Sequence, residues 1–85
     1  MNYDRSALID QLILHEGMEL EVYQDHLGID TIGVGRNLQD RGITDGELSF
    51  MNKLRSEIYD EGITEANARF LLSNDIDIVE KELLD

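Results

Sequence analysis

The chain has 85 residues, with 19 acidic and 7 basic side chains and a formal net charge of −12. This charge excludes a nucleic-acid binder that depends on phosphate contacts and disfavours an anionic membrane as partner, because both need a basic surface. The absence of cysteine excludes disulfides and thiolate metal sites, and 41% hydrophobic residues without any proline predict one ordered, helix-rich domain.

The first predicted element is a helix over residues 4–16. Its apolar residues recur with the period of one helical face: Leu8, Ile9, Leu12 and Ile13. Asp4 is a suitable N-cap, and Gly17 is well placed to end the helix.

The sequence then changes to a strand pattern. Polar and apolar residues alternate over residues 19–23, turn-forming residues occupy 24–28, and a β-branched segment containing two glycines covers 29–35. Residues 36–38 can form a short third strand. These segments predict a small antiparallel hairpin or three-stranded sheet.

Helical signals return after the sheet. Thr44 and Glu47 match a capping box, and Leu48, Met51, Arg55 and Ile58 continue one stripe along the helix that follows. Gly62 ends this helix, and Thr64 caps a last helix of about 30 Å over residues 65–84. The apolar residues of the last helix cover several faces, so we expect contacts on more than one side. The predicted fold is α+β, with an N-terminal helix, the small sheet and two further helices, the last of them long.

A dense motif spans the end of the first helix and the sheet. Its characteristic residues are Glu16, Gly17, Leu20, Tyr23, Asp25, Gly28, Thr31, Ile32, Gly33 and Gly35. This pattern resembles the active-site motif of the phage-type lysozymes of glycoside hydrolase family 24. A weaker resemblance continues through residues 62–64 into the last helix, which resembles the long helix that joins the two lobes in that family.

The chemistry of glycoside hydrolysis assigns different roles to the two carboxyl groups of the motif. One must be protonated and the other ionised, on opposite sides of the sugar bond. Glu16 is in the last turn of the predicted helix, where the helix dipole disfavours its charged form, so it suits a general acid. Asp25 is in a polar turn, and we expect it to stay ionised, as a base toward water or as a stabiliser of positive charge at the sugar.

The resemblance adds a third site residue and a stereochemical expectation. It implies that Thr31 holds the attacking water and that the configuration is inverted. Inversion corresponds to carboxyl groups roughly 6.5–9.5 Å apart, against about 5–5.5 Å in retaining enzymes. Tyr23 and Leu20 are interpreted as core residues.

The resemblance implies a muramidase that cleaves the β-1,4 bond between N-acetylmuramic acid and N-acetylglucosamine in peptidoglycan during host lysis. It covers the N-terminal catalytic lobe, so we expect residues 1–85 to form that single lobe, without the helical lobe that completes the cleft. A homodimer or a complementing C-terminal-lobe polypeptide would then supply the second wall. Arg36 stands where the family usually has histidine, and an acidic side chain on the helices is its expected partner.

Two alternatives remain open at the level of sequence. One is a catalytically inactive lysozyme-like remnant or a phage structural or glycan-binding protein, and the strong negative charge, which opposes contact with an anionic cell wall, favours it. The other is an acidic interaction domain in which the motif is fortuitous. Cofactors and metals are not expected, because His15-Glu16 lacks the second histidine of a zinc motif and Gly33 and Gly35 lack the third glycine of a phosphate loop.

The expected location is the cytoplasm of an infected bacterium. No apolar core of a signal peptide follows Met1, and no apolar run is long enough for a transmembrane helix. Access to the cell wall would therefore depend on another protein.

Overall fold

A computed structural model describes residues 4–84 of the chain. The elements in chain order are α1 (Arg5–Glu16), β1 (Glu19–Gln24), β2 (Asp30–Gly33), β3 (Arg36–Asn37), α2 (Asp45–Met51), α3 (Arg55–Glu61) and α4 (Glu65–Leu84). The α+β prediction is confirmed, including the three-stranded sheet and the long last helix. No helix within the described residues combines the length and the apolar character needed to cross a bilayer.

The sheet is antiparallel, with the strands in the order β1-β2-β3. Glu19 lies opposite Gly33 and Tyr23 lies opposite Thr31, so β1 advances four residues while β2 advances two. This irregularity is a bulge, which changes the direction in which the following side chains point. Val22 and Tyr23 are consequently both half-buried, and the simple alternation predicted for β1 is broken.

The single helix predicted after Thr44 is wrong, because the structure divides it into α2 and α3. Asn52 adopts a left-handed conformation with φ of 56°, and its N–H donates to the Ser49 carbonyl at 3.1 Å. The Lys53 N–H donates to the Leu48 carbonyl at 3.1 Å, which completes a Schellman-type helix end. Asparagine tolerates this conformation better than most residues, so the helix stops here.

The predicted helix starts are confirmed by side-chain hydrogen bonds to the first turns. Asp4 accepts from the Ala7 N–H at 3.1 Å, and Thr64 accepts from the Asn67 N–H at 3.1 Å. Thr44 and Glu47 form the reciprocal capping box, with distances of 3.0 and 3.1 Å. Each bond satisfies a backbone donor that the helix itself leaves unpaired.

The core lies between the sheet and the helices that follow it. Its buried apolar residues are Ile32, Ile43, Leu48, Met51, Ile58, Ile63, Ala68 and Leu71. The further end of α4 differs, because Ile78, Val79 and Leu83 are 40%, 53% and 78% exposed. As expected from its sequence, α4 therefore carries more apolar surface than the rest of the described chain covers.

The junction of α3 and α4 is fastened to the first strand of the sheet. The Ile63 N–H donates to the Leu20 carbonyl at 2.7 Å. Gly62 has φ of +80°, and a Cβ at this position would overlap the Leu20 carbonyl oxygen. Only glycine fits here without moving the backbone, because both the conformation and the space exclude a side chain.

Ionic contacts attach α1 to α4. None of the residues of α1 is fully buried. The Arg5 guanidinium donates to the Ser73 carbonyl, to Asp77 and to Glu80, at 2.6, 2.6 and 2.9 Å. Farther along the helix, Arg69 donates to Asp10 at 2.9 Å. The position of α1 thus depends more on partly exposed ion pairs than on the packing of an apolar face.

Candidate active site

Asp25 is held by the turn between β1 and β2. Its Oδ1 accepts hydrogen bonds from the Leu27 and Ile29 N–H groups at 2.8 and 3.0 Å. The bond from Ile29, followed by that from Leu27 and the charge of His26, lowers the pKa of Asp25 below its ordinary value. Both of these bonds go to Oδ1, so Oδ2 is left for another partner such as water. The environment is therefore the one expected for an ionised carboxylate.

Thr31 lies on β2 and is connected to the same turn. Its side chain is buried, and its hydroxyl donates to the Ile29 carbonyl at 2.9 Å. Ile29 therefore links two of the predicted site residues, since its N–H binds Asp25 and its carbonyl binds Thr31. With its proton engaged, the Thr31 oxygen still has lone pairs that can accept a hydrogen bond from water.

Glu16 is the last residue of α1, and its side chain is exposed. The helix ends at Gly17, which has φ of 80° and donates its N–H to the Ile13 carbonyl at 2.7 Å. The chain then turns directly into β1. Glu16 thus lies at the boundary between the first helix and the sheet that carries Asp25 and Thr31.

Tyr23 is half-buried on β1, two residues before Asp25. Burial raises the pKa of its phenol, and the negative charges of Glu19, Asp25 and Glu16 raise it further. Tyr23 also lies directly opposite Thr31 in the sheet. The structure joins Asp25 and Thr31 through Ile29 and pairs Thr31 with Tyr23, while Glu16 lies at the end of α1 just before this sheet.

The three predicted site residues differ in exposure: Glu16 is exposed, Asp25 is half-buried and Thr31 is buried. Two cavities of about 310 and 240 Å³ lie elsewhere on the described part of the chain. The larger is lined by Gln24, Gly28, Asp30, Leu38, Gln39 and Tyr59, and the smaller by residues of α2 and α3. Glu16, Asp25 and Thr31 line neither of these two cavities.

A buried cluster of charged side chains connects the sheet to the helices α2 and α4. Arg36 on β3 is 2% exposed, and its guanidinium donates to both carboxylate oxygens of Glu47, at 3.0 and 2.9 Å. It also donates to the carbonyls of Gly42 and Leu71 and pairs with Asp75 at 3.0 Å. The expected acidic partner of Arg36 is confirmed, and there are two of them, one on α2 and one on α4.

The cluster is stable in its charged form. Burial alone would raise the pKa of Glu47, but hydrogen bonds from Arg36, Asn74 and Thr44 outweigh it and lower the pKa to about 2. Burial would likewise lower the pKa of Arg36, whereas Glu47 and Asp75 raise it. The sequence identified Glu47 only as a helix-capping residue, because nothing local to Glu47 indicates a partner eleven residues away.

The described residues do not form a metal centre. Within residues 4–84, no group of three or more histidine, aspartate or glutamate side chains converges in a way that could hold a metal ion.

Comparison with known proteins agrees with the motif. A family model described as phage lysozyme matches residues 14–85, which include Glu16, the whole sheet and α2 to α4. No curated protein gave a significant match. Because the family model covers most of the chain, the chain belongs to the phage lysozyme family and is a lysozyme-like peptidoglycan hydrolase.

Proposed function

We propose that the chain is an inverting muramidase of glycoside hydrolase family 24. It would cleave the β-1,4 bond between N-acetylmuramic acid and N-acetylglucosamine in the lysis of a phage host. The observation that carries the proposal is the link from Asp25 through Ile29 to Thr31, on the sheet that directly follows Glu16.

Each group has a defined part in the proposed reaction. Glu16, in its protonated form, gives its proton to the glycosidic oxygen as the bond from that oxygen to the anomeric carbon breaks. A water donates one hydrogen bond to the Thr31 oxygen and loses its other proton to Asp25 Oδ2 while its oxygen attacks the anomeric carbon. The lowered pKa of Asp25 keeps this base ionised. Attack from the opposite face inverts the configuration.

A second wall is part of the proposal, because the side chain of the proposed acid, Glu16, is exposed. The exposed apolar residues at the end of α4, Ile78, Val79 and Leu83, provide the surface on which a second wall can pack. The partner is a second copy of the chain or a polypeptide that resembles the C-terminal lobe of the family. Sedimentation of the chain at several concentrations tests the first option, since a homodimer dissociates on dilution.

Charge sets the conditions for activity. The net charge of −12 opposes approach to an anionic cell wall, and salt screens this repulsion beyond about 10 Å at 0.1 M. We propose that the protein accumulates in the cytoplasm of the host and reaches the wall through the action of another protein. Lysis of permeabilised cells is accordingly expected to increase with moderate salt.

The decisive experiment is the clearing of chloroform-treated Gram-negative cells, with mass spectrometry of the released glycans. Glu16→Gln should abolish both clearing and muramidase products. Glu61→Gln is the matched control, because it removes the same charge from an exposed glutamate at the end of α3. Wild-type and Glu16→Gln proteins that bind glycan equally and release no products would instead support the inactive, glycan-binding alternative, which the exposure of Glu16 and the strong negative charge favour.

A further inference from the structure

A row of three side chains crosses the sheet on one face. Tyr23 on β1 lies opposite Thr31 on β2, and Thr31 lies opposite Asn37 on β3. Side chains directly opposite each other in antiparallel strands share a face, with Cβ atoms roughly 5 Å apart. Asn37 is therefore a direct neighbour of the residue that holds the attacking water in the proposed mechanism.

The side-chain amide of Asn37 is held in one orientation by the turn that follows β3. Its Oδ1 accepts hydrogen bonds from the Gln39 and Asp40 N–H groups at 2.8 and 2.9 Å. The flipped amide would place its NH2 group against these two donors, so the contacts determine which atom is the oxygen. The backbone carbonyl of Asn37 also accepts from the Gly42 N–H at 3.0 Å, which holds the other end of the turn.

The amide nitrogen of Asn37 is available to a ligand. Within residues 4–84, the two hydrogen bonds of this side chain both go to Oδ1, and Nδ2 donates to no other protein group. No buried side-chain polar atom in the same range lacks a hydrogen-bond partner, so Nδ2 reaches the surface. A donor that is already fixed loses little conformational entropy when a ligand binds it.

We propose that Asn37 is a substrate-binding residue whose Nδ2 donates to the acetamido carbonyl of the sugar at the scissile bond, an inference that rests on the proposed function. The water held by Thr31 attacks the anomeric carbon of that sugar, and the acetamido group is attached to the adjacent ring carbon. A donor beside Thr31 is therefore within reach of the acetamido oxygen. A site that hydrogen-bonds one substituent rejects the sugar that lacks it, so Asn37 selects N-acetylated glycan.

The variant Asn37→Asp separates binding from folding. An aspartate keeps the acceptor for the Gln39 and Asp40 N–H groups and removes the donor, so the urea midpoint should stay in place. Asn52→Asp is the matched control, because it makes the same change and adds the same charge at the exposed end of α2, where a left-handed conformation is required.

Binding is measured without turnover, in proteins that also carry Glu16→Gln. The probe is soluble, uncross-linked peptidoglycan strands, and NMR follows the side-chain amide signals. We expect the Asn37 signal to shift with saturation and the Asn37→Asp protein to bind about ten-fold more weakly, while Asn52→Asp binds as the parent does. An Asn37 signal that does not move when the strands bind, or strands that bind none of the proteins, would overturn the inference.

Selectivity for the acetamido group is a second readout, with Glu16 restored. De-N-acetylated strands carry an ammonium group, to which a carboxylate binds but an amide N–H does not. The ratio of KM for de-N-acetylated strands to KM for N-acetylated strands should therefore fall at least about ten-fold in Asn37→Asp relative to Asn52→Asp. A merely structural role of Asn37 would leave this ratio equal in the two variants.

The outcomes distinguish this inference from the proposed function. If wild-type protein releases glycan products and the two aspartate variants bind and discriminate alike, the function stands and the inference fails. If Asn37→Asp weakens binding while wild-type protein releases no products, recognition of the glycan by Asn37 stands and the hydrolytic function fails.

Discussion

Arg36 and Glu47 face each other in two parallel hydrogen bonds of 3.0 and 2.9 Å, and both side chains are almost completely buried. The pair joins β3 to α2, and Asp75 extends it to α4. Removal of one partner from a buried ion pair leaves the other charge without compensation, which is costly. Loss of either partner is therefore expected to destabilise the packing of the sheet against α2 and α4.

This pair predicts a specific dependence of stability on pH. The pKa of Glu47 falls from its ordinary value of 4.5 to about 2 in the folded protein. Because the pKa of Glu47 is lower in the folded than in the unfolded state, ionisation of this group stabilises the folded protein. The contribution is about 3 kcal/mol, is fully present above pH 4.5 and is lost as the pH falls toward 2. Urea unfolding at a series of pH values should show this loss in the wild type and its absence in Glu47→Gln.

The control for this experiment is Glu57→Gln. Glu57 accepts from the Leu54 N–H at 2.8 Å, so it caps α3 as Glu47 caps α2. At pH 7 we expect Glu47→Gln to lower the free energy of unfolding by about 3 kcal/mol and Glu57→Gln by about 1 kcal/mol or less. Equal losses in the two variants would show that capping, and not the ion pair, is the important contribution.

Substitution of Gly62 is expected to lower the free energy of unfolding. In Gly62→Ala the new methyl group meets the Leu20 carbonyl oxygen, and the residue must also adopt a positive φ. We expect the free energy of unfolding to fall by about 3 kcal/mol or more, since the backbone must move. Gly46→Ala, in the first turn of α2, meets only ordinary contacts and should be neutral or stabilising by about 0.5–1 kcal/mol. Thermal unfolding of both variants distinguishes the two outcomes.

Two substitutions of Thr31 distinguish the role of its hydroxyl from the role of its side-chain volume. Thr31→Val keeps the buried shape but loses the bond to the Ile29 carbonyl, at a cost of about 1–2 kcal/mol of stability. In the proposed mechanism it also loses the acceptor for water, so we expect activity to fall about 100-fold. Thr31→Ser keeps the hydroxyl and should retain most of the activity. Similar kcat values for the valine and serine variants, measured at the same folded fraction, would argue against a role in holding water.

The attachment of α1 predicts a local effect. Arg5→Ala removes contacts to Ser73, Asp77 and Glu80, so α1 should open more often. Hydrogen exchange should accelerate in α1 while the amides of β2 keep their protection, because β2 belongs to the buried core. Arg69→Ala removes one exposed pair and should have a smaller effect. Uniform acceleration over the whole chain would contradict this view of α1.

Local patterns predicted much of this fold. The capping residues Asp4, Thr44 and Thr64 act within one helical turn, so the sequence contains all the information needed to locate these helix starts. The motif from Glu16 to Gly35 is likewise local in sequence, because it covers only the end of α1 and the hairpin of β1 and β2 that follows. The proximity of Asp25 and Thr31 follows directly from the hairpin.

Other features depend on partners far away in the chain. The stop at Asn52 depends on a left-handed conformation that asparagine tolerates but does not require. The environment of Arg36 is built from Glu47 and Asp75, which are 11 and 39 residues away. The bulge in β1, which gives Tyr23 its position, depends on the register with β2. No periodicity in the sequence indicates these relations.

The ionic attachment of α1 has a consequence for the two halves of the site. Asp25 and Thr31 are fixed by the sheet, whereas Glu16 is the last residue of a helix held by partly exposed charges. We therefore expect the distance between the proposed acid, Glu16, and the proposed base, Asp25, to vary more than the distance between Asp25 and Thr31. Salt should increase this variation, because it screens the ion pairs that hold α1. Salt that screens the repulsion between this acidic protein and an anionic cell wall is therefore expected also to weaken the contacts that hold α1, and with it the proposed proton donor Glu16.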